Sequence, residues 1–144
     1  MERITKFRAW DSVQDKMLPV ESIDFKNGLI SLNEGDNSVT DTFDQFILMQ
    51  FIGYGYEGEW NDRYRNMVEL YEGDIVEARS EGSKGKFVVK YRDGAHPGYI
   101  LWPAYQENKF WSFSFTDHNG KMFDDIKLIG NKYENPELLS VGKN

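Results

Sequence analysis

The chain has no cysteine, and that absence removes disulfides, thiolate nucleophiles and thiolate metal ligands together. Histidine is scarce as well, with only His96 and His118. The usual Cys and His ligand sets for zinc cannot be assembled from these residues, though carboxylates could hold a hard cation, and no metal site or cofactor is assigned. No run of basic residues is present, and a formal net charge of -7 opposes the positive footprint that non-specific binding to DNA or RNA requires. Long apolar stretches are missing too. Phe46 to Ile52, interrupted by Gln50, falls far short of a membrane span, and Met1 to Trp10 is not followed by the apolar core of a signal peptide. The expectation is a cytoplasmic protein with no membrane attachment.

What the chain does have is aromatic residues and turn signals. Its 144 residues suffice for one domain or two small ones, and aromatics at 15% favour strands over helices. Ile4 to Trp10 reads as a first short strand. Val20 to Phe25 and Leu29 to Leu32 flank Lys26-Asn27-Gly28, and Asn-Gly supplies the positive backbone angles of a tight hairpin. Asn33 to Asp44 is polar and reads as a loop, with the start of a helical turn at Asp41 to Asp44. Phe46 to Ile52 reads as a buried strand stopped by Gly53 and Gly55, and Tyr54 to Asn66 as an exposed loop.

After that loop the pattern repeats in short units. Leu70-Tyr71-Glu72-Gly73-Asp74-Ile75-Val76 reads as a tight turn launching a strand that runs to Arg79. Glu81 to Gly85 is a turn cluster, and Lys86 to Arg92 returns as a strand with Phe87, Val89 and Tyr91 on one face. Asp93-Gly94 turns again. Tyr99 to Trp102, Phe110 to Phe115 and Met122 to Ile129 are the remaining strands, with Trp111, Phe113 and Phe115 inward. Short strands joined by tight turns protect their edges best by curling or by pairing with the N-terminal unit. The expected architecture is therefore mainly β: a short N-terminal β unit with a hairpin over residues 1–66, then a small SH3-like β-barrel with a C-terminal tail over residues 67–144.

Chemistry is harder to find. Glu72 and Asp74 flank Gly73, where a carboxylate beside a turn usually accepts backbone N–H bonds. Asp124 and Asp125 are adjacent, so a strand would send them to opposite faces and not to one scissile bond. His96, in Asp93-Gly94-Ala95-His96-Pro97-Gly98, and His118, before Asn119-Gly120, sit in turns with no nucleophile elbow nearby. The Lys84-Gly85-Lys86 turn lacks the glycine-rich loop of a phosphate cradle. No catalytic residue and no metal ligand is assigned.

Four blocks of the sequence, in order, carry a resemblance. They are Lys6-Phe7-Arg8-Ala9-Trp10-Asp11 with Lys16-Met17; Leu48-Met49-Gln50-Phe51-Ile52-Gly53; Leu70 to Val76; and Ile129-Gly130-Asn131-Lys132-Tyr133-Glu134-Asn135-Pro136-Glu137-Leu138-Leu139. Together they resemble the YopX family of phage and prophage proteins across nearly the whole chain. The resemblance implies a β-rich protein encoded by phages or prophages of low-GC bacteria, assembled as a homo-oligomer. It brings no enzyme activity and no catalytic residues. The chain departs from the family pattern over Tyr54 to Glu69, where Tyr56, Trp60, Tyr64 and Met67 replace a short polar linker.

The leading expectation is a non-enzymatic accessory protein that acts through protein contacts, with itself and with a host or phage protein. Trp60, Arg63, Tyr64, Arg65, Trp102 and Tyr105 are its interface candidates, because arginine and aromatics dominate interface cores. The alternative is a nucleic-acid-binding module in which Lys84, Lys86, Lys90 and Arg92 converge with Trp102 on one face of the barrel. A small enzyme using carboxylates and a histidine ranks last.

Overall fold

The structure, a computed structural model, describes residues 5–58, 66–80, 83–92, 98–103, 111–112 and 125–143. The chain forms two compact units, Met1–Phe51 and Ile52–Asn144. The division expected near residues 60 to 67 falls mostly on residues outside the described ones.

The first unit is a meander. β1 (Phe7–Asp11) pairs antiparallel with β2 (Lys16–Asp24), β2 with β3 (Leu29–Asn33), and β3 with β4 (Ser38–Thr42). The other edge of β1 takes the first half of β5 (Phe46–Glu57), with Ala9 opposite Leu48 and Asp11 opposite Phe46. A single 3-10 turn, Phe43–Gln45, links β4 to β5. Ala9, Ile30, Leu32 and Phe46 form the core, with Leu18, Val20 and Val39 packed against it. The hairpin expected around Asn27-Gly28 is present, but its loop is longer than a two-residue turn. Phe25 to Gly28 make the turn, Gly28 N–H donates to Asp24 O at 2.9 Å, and of the Asn-Gly pair only Gly28 takes a positive φ, +70°. The tight two-residue turn needs positive φ at both positions, whereas this wider one needs it only at the glycine.

The second unit is built outward from β7 (Asp74–Ser80). β7 pairs with β8 (Ser83–Arg92), β8 with β9 (Gly98–Pro103) and β9 with β10 (Trp111–Ser112), all antiparallel. The free side of β7 is taken by β11 (Asp125–Asn131), which also lies parallel to the second half of β5 at Lys127 and Tyr56. β6 (Asn66–Tyr71) pairs with β5, and a 3-10 segment, Pro136–Lys143, ends the described chain. Leu70, Val76, Ala78, Phe87, Val89, Leu101 and Ile126 make the core of this unit. Among the described residues no helix is long and apolar enough to cross a membrane.

The SH3-like barrel is not what forms. Among the described residues the strand order β10-β9-β8-β7-β11-β5 is an open path whose ends do not pair, and the sheet is mixed because β11 joins β5 in parallel. Barrel closure needs the last strand to reach the first. Here the last strand is instead inserted beside β7 and ends next to β5. Short strands and tight turns are common to a meander and a barrel, so local pattern does not separate the two.

Candidate functional site

The two sequence blocks that stand out most, Leu70 to Val76 and Ile129 to Leu139, meet in space. β7 and β11 pair so that Gly130 lies opposite Ile75 and Asn131 opposite Asp74. At the turn before β7, Gly73 has φ +90°, a backbone angle that an L side chain rarely adopts. Its N–H donates to Val89 O at 2.9 Å, and its carbonyl accepts from Lys132 N–H at 3.0 Å. The turn is thus held from β8 on one side and from the end of β11 on the other. Asp74 is 1% exposed, and its Oδ2 accepts the Tyr71 N–H at 2.7 Å.

The tail is knotted in the same way. Asn131 Oδ1 accepts from Tyr133 N–H at 3.0 Å and Glu134 N–H at 2.9 Å, while its Nδ2 donates to Glu134 Oε1 at 2.7 Å. Asn135 Oδ1 accepts Asn131 N–H at 3.1 Å, and Asn135 N–H returns to Asn131 O at 2.8 Å. A Cβ added to Gly130 would stand 2.6 Å from Asn135 Oδ1, so only glycine lets the tail close this tightly. Asp74, Asn131 and Asn135 all spend side-chain oxygens on backbone N–H groups. That is turn chemistry, and it explains the blocks as a structural clasp. Asp11 behaves likewise at the β1–β2 turn, where its Oδ1 accepts from Val13 and Gln14 N–H at 3.0 and 3.3 Å.

The basic set of β8 is the second arrangement. Positions 84, 86, 90 and 92 share one strand phase, and register puts Trp102 opposite Val88 in that same phase. Glu77 interrupts it, because it lies opposite both Lys86 on β8 and Lys127 on β11. Opposite charges at such cross-strand positions attract and lower the local positive potential. For Lys84, Arg92 and Trp102 only the strand position is described. Trp60, Arg63, Tyr64, Arg65, Tyr105, His96, His118 and Asp124 lie outside the described residues.

The first unit presents a surface that sequence reading passed over. Phe25 is 78% exposed and Phe43 40%, and their rings meet edge to face with centroids 6.1 Å apart. Beside them the Asn27 side-chain amide, 2.8 Å from Asp24 Oδ2, holds the Asp24 carboxyl below its ordinary pKa, with the Asn27 N–H adding to the effect. The unit ends on β4, whose outer edge pairs with no described strand. Sequence signals for β4 were weak because Val39 is its one apolar residue.

The fold has a solved counterpart in the crystal structure of protein EF1440 from Enterococcus faecalis. The likeness has a TM-score of 0.52 at 24% sequence identity, over 96% of this chain and 99% of that one. No curated protein matches the chain. The family model described as YopX protein matches residues 6–140, and the chain belongs to the YopX family of phage and prophage proteins.

Proposed function

We propose that this YopX-family member is an accessory protein that acts through protein contacts and not through catalysis, working as a homo-oligomer in the cytoplasm. The observation that carries this reading is the open sheet of the first unit, which leaves a strand edge and the Phe25–Phe43 pair at the surface. Unpaired strand edges are ready templates for another chain. Trp60, Arg63, Tyr64, Arg65, Trp102 and Tyr105 are proposed as further anchors. Light scattering on the purified protein tests the reading. A defined mass above 16.8 kDa is expected. A monomer at every concentration, with no protein partner retained from host lysate after nuclease treatment, would overturn it.

A nucleic-acid role is the second reading, favoured by the shared phase of Lys84, Lys86, Lys90, Arg92 and Trp102. It requires binding to a mixed-sequence oligonucleotide that weakens steeply with salt and is lost in Lys86→Glu/Lys90→Glu. The net charge and the position of Glu77 place it second.

A further inference from the structure

We propose that the outer edge of β4 pairs with the same edge of a second copy, antiparallel, about a two-fold axis at Val39. This rests on the homo-oligomer reading and names its contact. The argument begins with hydrogen-bond phase. Phe43 N–H donates to Gly28 O at 3.1 Å and Glu34 N–H to Asn37 O at 2.9 Å, at the two ends of the β3–β4 ladder. Antiparallel ladders alternate hydrogen-bonded and non-hydrogen-bonded pairs. The register between those ends then makes Ile30/Asp41 and Leu32/Val39 the hydrogen-bonded pairs. Ser31/Thr40 is a non-bonded pair, where side chains approach more closely, and the Ser31 and Thr40 hydroxyls indeed meet at 2.6 Å.

It follows that the backbone N–H and C=O groups of Ser38, Thr40 and Thr42 point away from β3. The Thr42 N–H is already taken, donating to Asp41 Oδ1 at 2.8 Å. The donors left on the edge are therefore those of Ser38 and Thr40. An axis at Val39 sets Ser38 of one copy opposite Thr40 of the other, twice over. Each open N–H then meets a carbonyl, and the capped Thr42 N–H is not called upon.

The side chains agree with this register. Val39 faces Val39 of the second copy as a close non-bonded pair, and Val39 packs on the core formed by Ala9, Ile30, Leu32 and Phe46. The pairing would extend that apolar layer across the axis. Asp41 comes opposite Asn37, so no carboxylate faces a carboxylate. An axis at Thr40 would instead set Asp41 against Val39 and need the capped Thr42 N–H. A strand this short makes a small interface, so the dimer dissociates on dilution.

The test uses the absence of native cysteine. Val39→Cys, mildly oxidised as the full-length protein, is expected to form a covalent dimer on non-reducing gels at least about tenfold faster than Thr40→Cys. In the proposed register the two copies of position 40 are offset by more than the roughly 7 Å Cα separation a disulfide spans. Thr40→Pro is the complementary variant. It removes an outward N–H while leaving the β3 ladder intact, and is expected to lower the solution mass without loss of β circular dichroism. An oligomeric wild type in which Val39→Cys fails to cross-link and Thr40→Pro keeps its mass would overturn this contact and spare the homo-oligomer reading. Faster cross-linking at position 40 would overturn the register. A wild type that is monomeric throughout would overturn both.

Discussion

Gly73 shows how much a single backbone angle decides in this protein. At φ +90° it orients the two peptides flanking its Cα so that its N–H meets Val89 and its carbonyl meets Lys132. Gly73→Ala is expected to cost about 1–3 kcal/mol, read as a lower urea midpoint with an unchanged slope. The sequence already marked this position, since Glu-Gly-Asp between two apolar stretches has few other uses. Asp24 is a subtler case. Asn27 lowers its pKa, so the ionised turn adds stability above the carboxyl's unfolded value and loses that contribution as pH falls through the lower folded value. Carboxyl NMR titration should give Asp24 a higher midpoint in Asn27→Ala than in the parent. Nothing in Asp-Phe-Lys-Asn-Gly reveals that bond, because it depends on the four-residue loop that the structure adopts.

At the level of elements, the clasp between the β6–β7 turn and the β11 tail makes two distant segments behave as one. Asn131→Ala removes the side-chain hydrogen bonds to Tyr133 and Glu134, and about 1–3 kcal/mol should go with them. Amide exchange is the sharper readout: Lys132 and Asn135 should lose protection together with Gly73. A fall confined to residues 131–135 would mean that the turn does not depend on the tail. The strands with clear alternation, such as Lys86 to Arg92, were legible from sequence. β4 and β6 were not. β4 is polar except for Val39, and β6 begins at Asn66, the last residue of the expected loop, and ends in Leu70-Tyr71, which read as part of a turn. Edge strands and strands with few buried residues lack the period-two signature on which such reading depends.

Across the whole molecule, family and β class were legible but closure was not. Which strand neighbours which is decided by β11 returning to β7 and β5 over a long sequence separation, and no local turn signal encodes that return. The candidate surfaces divide the same way. Lys86 and Lys90 showed their shared phase in sequence, whereas Lys84 read as part of a turn and the Phe25–Phe43 contact, which joins residues from two different turns, appears only in three dimensions.

β5 has a consequence for how such a chain can vary in length. One uninterrupted strand serves the first unit through Phe46 to Phe51 and the second through residues 52 to 57. Gly55 occupies a slot where a Cβ would stand 2.7 Å from Ile126 O and 3.1 Å from Leu70. Gly55→Ala would press a methyl group against the Ile126 carbonyl inside the second unit and should lower the denaturation midpoint sharply. One residue inserted after Gly35, in an exposed bend, should leave it nearly unmoved. Natural variants of this protein should gain and lose residues in the bends while position 55 stays without a side chain.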